Sequence, residues 1–113
     1  MDAKQLSQRL ATVGAFVKPG ARVADIGSDH AYLPANLALN HQISYGIAGE
    51  VVQGPFENAR HEIQKLGLTD VLVARLADGL AAIKPADRID TVTIAGMGGP
   101  LIRHILEQGT TQL

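Results

Sequence analysis

The chain alternates between short apolar runs and stretches whose apolar residues recur every three or four positions. The apolar runs cover Ala21 to Ile26, Ile43 to Glu50, Val71 to Ala74 and Ile89 to Ala95. Runs of this length are typical of strands buried in a parallel sheet. The helical spacing is clearest before the first run, at Leu6, Leu10, Val13 and Val17. Strands that alternate with helices predict right-handed βαβ units, and so an α/β fold with helices on both faces of a parallel sheet.

The helical stretches contain their own start and stop signals. Pro34 and Pro55 stand in the predicted first turns of the second and third helices, where proline is tolerated. Gly67 follows the last apolar residue of the third helix, where a left-handed glycine is expected to end it. After the third strand we expect a weak helical turn at 80–83, and after the fourth a final helix at 101–108.

Composition narrows the class of protein. Hydrophobic residues make up 46% of the chain and charged residues 19%, which suits a folded core. Because there are no cysteines, disulfides and thiolate-bound zinc are excluded. No apolar run approaches the roughly 20 residues of a membrane span, and the N-terminus lacks a signal-peptide pattern, so we expect a cytoplasmic protein with no membrane partner. The net charge of −1 gives no general attraction to nucleic acid.

Four strands are few for an open, doubly wound sheet, which usually carries more. We therefore expect residues 1–113 to be an incomplete domain, a fragment whose fourth strand has an uncovered edge. The β-branched residues of that edge are Ile89, Thr91, Val92 and Ile94. An uncharged, unpaired edge is a template for another chain, so self-association through the fourth strand is expected.

The stretch after the first strand is the most informative for function. Gly27 opens a tight turn, and a helical pattern begins at Tyr32. Backbone N–H groups at such a turn and at a helix N-terminus attract acceptor oxygens. The three-glycine fingerprint of dinucleotide sites is incomplete, because Asp29 and Ala31 stand at the later glycine positions. A ligand-binding turn and an ordinary βα turn both remain open on this stretch alone.

Ligands of doubly wound sheets bind beyond the carboxyl ends of the strands. The candidate contacts at these ends are Gly27, Ser28, His30, Glu50, Val51, Ala77, Asp78, Gly79, Ala95 and Gly96. Glu50 lies 23 positions after Gly27, near the spacing of about 20 expected for an acid that binds ribose hydroxyls. The alternatives are a solvated acid for Glu50, a turn aspartate for Asp78 and close backbone packing for Gly96.

The carboxyl ends of the strands form one rim of the sheet. The acidic residues of this rim argue against a pyrophosphate ligand. They are Asp25, Asp29, Glu50 and Asp78, and four carboxylates repel a phosphate. A cationic ligand with a ribose and a base suits them better. S-adenosylmethionine has these features, because it combines a sulfonium, an ammonium and an adenosine.

Four segments, LSQRL at 6–10, ADIGSDHAYLP at 24–34, IAGEV at 47–51 and IAGMGG at 94–99, resemble one bacterial family over essentially the whole chain. This family is the tRNA adenine-N1 methyltransferases that act at position 22. The resemblance implies a Rossmann-like class I methyltransferase fold, here about four parallel strands in the order 3-2-1-4. It implies that 1–113 bind S-adenosylmethionine as cofactor, and that the substrate is tRNA. A family member would continue with further strands and a C-terminal helical domain.

The resemblance implies methyl transfer to ring nitrogen N1 of an adenine. That nitrogen carries a lone pair, so attack on the methyl carbon needs approach geometry and exclusion of water rather than a base. Asp29 is the candidate catalytic residue, since a carboxylate near the exocyclic amine would orient the base and stabilise the cationic product. Its alternative is a cap for the helix that follows. His30 is expected to be a contact rather than a base, and Tyr32 either stacks on adenine or packs internally.

The usual amino-methyltransferase tetrapeptide, Asp or Asn followed by two prolines and an aromatic residue, is absent after the fourth strand. The target-base pocket is therefore undefined by sequence. His41, His61 and His104 show no metal-ligand spacing, and no metal is expected. With so little positive charge the chain is expected to be inactive on tRNA by itself, its tRNA-binding surface lying largely outside 1–113.

Three other functions remain open. They are a small-molecule methyltransferase on the same fold, a nicotinamide-nucleotide-binding module, and a piece that binds nothing well. The missing glycines count against the second of these.

Overall fold

The structure is a computed structural model, which describes residues 2–28, residues 30–94 and the backbone of 102–104. Its strands are β1 (Ala21–Ile26), β2 (Ile43–Glu50), β3 (Leu72–Leu76), β4 (Thr91–Thr93) and β5 (Ile102–His104). They form one sheet in the order β3-β2-β1-β4-β5. The first four strands are parallel to their neighbours, so the predicted order 3-2-1-4 is confirmed. β1 and β2 have the predicted bounds, β3 lies slightly later and β4 is shorter.

One face of the sheet, here called the helical face, is covered by three α-helices. These are α1 (Gln8–Ala15), α2 (Tyr32–Leu39) and α3 (Gln53–Lys65). Their buried residues pack with those of the strands in one apolar cluster that includes Val13, Leu37, Ile63 and Val23. Such burial supplies most of the stability of short helices. No helix among the described residues is long and apolar enough to cross a membrane.

The end of α3 has the predicted glycine cap. Gly67 has a φ of 71°, and its N–H donates to the carbonyl of Gln64 at 3.1 Å. The N–H of Leu68 donates to the carbonyl of Ile63 at 3.0 Å. These two bonds make a Schellman motif, which satisfies the last carbonyls of the helix.

The other face, here called the loop face, carries two single turns of 3₁₀ helix, Gly79–Ala82 and Pro85–Asp87. The first replaces the weak helical turn expected at 80–83. A second apolar cluster lies beneath these turns and includes Ala24, Ile47, Ala82, Ile83, Ile89 and Val92. The α/β architecture is thus confirmed, with α-helices on one face and 3₁₀ turns on the other in the described part of the chain.

The final helix expected at 101–108 is wrong over Ile102–His104, which forms β5 and pairs antiparallel with β4. An edge strand offers unpaired N–H and C=O groups, and a following extended segment satisfies them. The spacing of apolar residues along the chain does not show whether an open strand edge is available, so it predicted a helix. The prediction of an uncovered edge on the fourth strand is therefore also wrong, because β5 covers that edge over Thr91–Thr93 and leaves no free edge there for self-association. Residues 101 and 105–108 lie outside the described residues.

Candidate functional site

The site is built first from the carboxyl ends of β1 and β2. Beyond β1, the N–H groups of Gly27 and Ser28 both donate to the carbonyl of Gly49, at 2.9 and 3.3 Å. Gly27 has a φ of 69°, a left-handed conformation that glycine adopts without strain. The turn after β1 is therefore fixed directly against the residue that precedes Glu50.

The end of β3 joins the same rim. Glu50 pairs with Leu76, and the N–H of Ala77 donates to the carbonyl of Glu50 at 2.8 Å. Asp78 follows in an exposed position, and its side chain makes no capping hydrogen bond to the 3₁₀ turn that starts at Gly79. The structure thus brings together the ends of three strands, as expected from the parallel sheet.

Two acids of the site are buried, Glu50 at the rim and Asp25 beneath it. Asp25 accepts a hydrogen bond of 2.6 Å from the hydroxyl of Thr93, which stands opposite it on β4. Burial raises the pKa of Asp25 to about 6; the hydrogen bond from Thr93 opposes this shift, and the charge of Glu50 adds to it. Glu50 is itself buried. The sequence placed Asp25 at the open rim, whereas the structure places it below.

Ser28 has an unusual environment. It is only 9% exposed, and its hydroxyl has no hydrogen-bond partner among the described residues. The hydroxyl nevertheless lies close enough to the Asp25 carboxyl to lower the pKa of that group by hydrogen bonding, although the contact misses the ordinary geometry of a hydrogen bond. A buried polar group without a partner costs about 1–3 kcal/mol, a cost that a polar ligand at the rim would relieve.

The start of α2 is strained. His30 and Ala31 have φ values of 65° and 59°, and left-handed conformations at non-glycine residues cost roughly 1–3 kcal/mol each. The rings of His30 and Tyr32 stack, with centroids 5.1 Å apart and an interplanar angle of 11°. Tyr32 also packs against the apolar cluster of the helical face. Strain of this kind is concentrated at functional sites.

An apolar lip flanks Glu50. Three large apolar side chains stay exposed there, namely Val51 at 60%, Val52 at 56% and Leu76 at 45%. Val51 and Val52 follow Glu50 directly, and Leu76 is its partner on β3. Of these three only Val51 was predicted from the sequence. Val52, an apolar residue just past the end of β2, carried a visible signal, whereas Leu76 is the last residue of β3. Such a lip is suited to the flat face of a nucleobase.

Three of the predicted site residues, Asp29, Ala95 and Gly96, lie outside the described residues. The remaining ones lie at or next to the rim. Within residues 2–28 and 30–94, no group of three or more His, Asp or Glu side chains is placed to hold a metal ion.

Comparison with known proteins points to one family. A family model described as tRNA (adenine(22)-N(1))-methyltransferase matches residues 23–113. The Bacillus subtilis (strain 168) protein of that name is 50% identical over all 113 residues, which cover 47% of its length. The chain therefore spans about half the length of this curated relative.

Solved structures give the same result. A Streptococcus agalactiae protein of the NADB-Rossmann superfamily is 50% identical, with a TM-score of 0.80 over 83% of this chain and 41% of that one. A Streptococcus pneumoniae protein in complex with S-adenosyl-L-methionine is 48% identical, with a TM-score of 0.80 over 83% of this chain and 44% of that one. The Rossmann-like fold class is thereby confirmed.

Proposed function

This chain belongs to the tRNA (adenine(22)-N(1))-methyltransferase family, and we propose that it forms the S-adenosylmethionine-binding part of such an enzyme. The reaction transfers a methyl group to N1 of an adenine in tRNA. Support for tRNA as the substrate comes from the family match. Charge does not add to it, because the net charge is −1 and three cations, Arg60, Lys65 and Arg75, pair with acids of the chain.

The observation that carries the proposal is a group of buried polar side chains at the carboxyl ends of β1 and β2, namely Asp25, Glu50 and the Ser28 hydroxyl that lies beside Asp25. Buried carboxylates suit a cationic ligand, and a buried hydroxyl suits a polar one. S-adenosylmethionine meets both demands. A homologue with 48% identity has been solved with this molecule bound, which supports the same ligand here.

Each part of the rim would hold a different part of the ligand. Glu50 would accept hydrogen bonds from the ribose hydroxyls, with Val51 and the rest of the apolar lip against the adenine. Gly27, Ser28 and His30 would line the amino-acid end. The remaining proposed contacts are Ala77, Asp78, Gly79, Ala95 and Gly96. Bound S-adenosylmethionine supplies an electrophilic methyl carbon on its sulfonium.

At the methyl acceptor, the adenine base, the protein's task is to position the base. Because neutral adenine already carries a lone pair on N1, the chain needs to orient the base and exclude water. We assign the orienting role to Asp29. In the complete methyltransferase, Asp29→Ala should lower kcat while leaving the affinity for S-adenosylmethionine nearly intact. Loss of donor binding, or a lower Tm with kcat unchanged, would make Asp29 a donor contact or a helix cap instead.

Parallel titration calorimetry of this chain with S-adenosylmethionine and with NAD tests the proposal. We expect saturable binding of the first and no heat from the second. Binding of NAD with S-adenosylmethionine inert would identify a nicotinamide-nucleotide module. If neither ligand binds, the assignment of the donor site fails.

A further inference from the structure

Arg75 links β3 to the loop face. Its guanidinium donates to both carboxylate oxygens of Asp87, at 2.5 and 2.8 Å, and to the carbonyl of Ala82 at 2.8 Å. Asp87 also accepts a bond of 2.7 Å from the N–H of Lys84. One bidentate ion pair therefore holds both 3₁₀ turns against the sheet. The pair raises the pKa of Arg75 and lowers that of Asp87, since each stabilises the charge of the other.

A second arginine, Arg22, links Asp87 to β1. The Nε–H of Arg22 donates to the carbonyl of Asp87 at 2.9 Å. The guanidinium carbon of Arg22 lies 4.5 Å from the ring centroid of Tyr45 on β2. Asp87 is thus attached to β1 directly through Arg22 and to β3 through Arg75, while Arg22 extends the link to Tyr45 on β2.

The first 3₁₀ turn reaches the proposed donor site. Arg75 pairs with Gly49, the residue before Glu50. A Cβ placed on Gly49 would lie 3.3 Å from the Cβ of Ala82, so the turn rests directly on the end of β2. Asp78 and Gly79 stand at the opposite end of this turn. The turn is therefore seated on the end of β2 at both ends, by Ala82 against Gly49 and by the hydrogen bond from Ala77, the neighbour of Asp78, to Glu50.

We propose that Arg75 and Asp87 are positioning residues of the donor site. They hold the Gly79–Ala82 turn on Gly49 and so fix the wall that faces Glu50 across the ligand. This inference rests on the proposed function. A buried ion pair adds little net stability compared with apolar groups of the same shape, whereas a bidentate arginine fixes direction as well as distance.

Calorimetric titration with S-adenosylmethionine at low temperature tests this role on variants shown to be folded by circular dichroism. We expect Arg75→Met to raise Kd at least tenfold and Asp87→Asn to raise it several-fold. Arg75→Lys keeps the charge but loses the planar fork, so it should recover part of the lost affinity. Arg60→Met is the matched control, because it removes an exposed pair with Glu57 on α3; its Kd should stay within twofold.

Amide hydrogen exchange of the unsubstituted chain gives a second readout that needs no variant to fold. The N–H groups of Ala81 and Ile83 bond within the turn, at 3.0 Å each. Saturating S-adenosylmethionine should slow their exchange at least fivefold if the turn forms a wall of the site. The N–H of Leu68 at the end of α3 is the internal control and should not change.

The outcomes separate the two proposals. A chain that fails to bind S-adenosylmethionine overturns the proposed function and this inference together. If the unsubstituted chain binds, and the folded variants Arg75→Met and Asp87→Asn have Kd values within twofold of its Kd, only the positioning role is overturned. If Arg75→Met does not fold, Asp87→Asn and the exchange of Ala81 and Ile83 decide.

Discussion

The two faces of the sheet are held together by different interactions. On the helical face, apolar side chains of α1, α2 and α3 pack on the strands in one continuous cluster. On the loop face, a smaller apolar cluster is supplemented by the polar contacts of Arg75, Asp87 and Arg22. Apolar burial is strong but non-directional, whereas hydrogen bonds to charged groups fix geometry. We therefore expect changes on the helical face to alter stability while leaving Kd unchanged, and changes on the loop face to alter Kd as well as stability.

The largest expected effect is on the helical face. Leu37→Ala removes a fully buried side chain of α2 and should lower the free energy of unfolding by about 2–5 kcal/mol. Molecules that remain folded should bind S-adenosylmethionine with unchanged Kd. Phe16→Ala, at an exposed position, is the control and should change stability by less than about 0.5 kcal/mol. Denaturant unfolding measures the stability of both variants, and calorimetry measures their Kd for S-adenosylmethionine. A large rise in Kd for Leu37→Ala would contradict the expected difference between the two faces.

Asp25, on the helical face, makes the stability of the chain depend on pH. Its pKa is raised from 3.8 to about 6, so the folded state binds more protons than the unfolded state between these values. Stability should then fall as pH rises through this window, by roughly 2–3 kcal/mol in all. Asp25→Asn should flatten the profile between pH 4 and 6. Unfolding curves at several pH values test this; a profile that keeps its slope in the variant assigns it to another group.

Glu50 stands where the two faces meet at the rim. Glu50→Ala should weaken S-adenosylmethionine binding more than any other single carboxylate change. If Glu50 binds the ribose hydroxyls as proposed, losing these charge-assisted hydrogen bonds would cost about 1.5–3 kcal/mol, or more than tenfold in Kd. Glu57→Ala on the exposed side of α3 is the matched control. Equal Kd values for the two variants would remove Glu50 from the site.

Gly49→Ala tests the loop face without touching a charge. The new methyl group would lie 3.3 Å from the Cβ of Ala82 and 3.4 Å from Cδ1 of Ile26, so these neighbours must move away by a few tenths of an ångström. Overpacking of this kind costs about 1–3 kcal/mol, and we expect Kd for S-adenosylmethionine to rise along with it. Gly54→Ala on α3 meets open space and should be neutral or stabilise by up to about 1 kcal/mol. Tight binding by Gly49→Ala would show that the turn does not form a wall of the site.

Much of the fold could be read from the sequence, because the signals are local. The bounds of β1 and β2 follow from apolar runs, and the end of α3 follows from Gly67, whose left-handed φ suits glycine. The position of Glu50 near the turn at Gly27 followed from the rule that parallel strands end at one edge. The strand order came from the family resemblance.

Only the tertiary structure decided the contacts between distant positions. Whether 102–104 form a helix or a strand depends on the open edge of β4, which local spacing does not encode. Burial raises the pKa of Asp25, and the hydrogen bond that opposes this rise comes from Thr93, 68 positions away. The ion pair between Arg75 and Asp87 likewise forms only when two separate segments fold against one sheet. Local sequence determines backbone preference, whereas burial and charge environment arise only when separate segments share the same space.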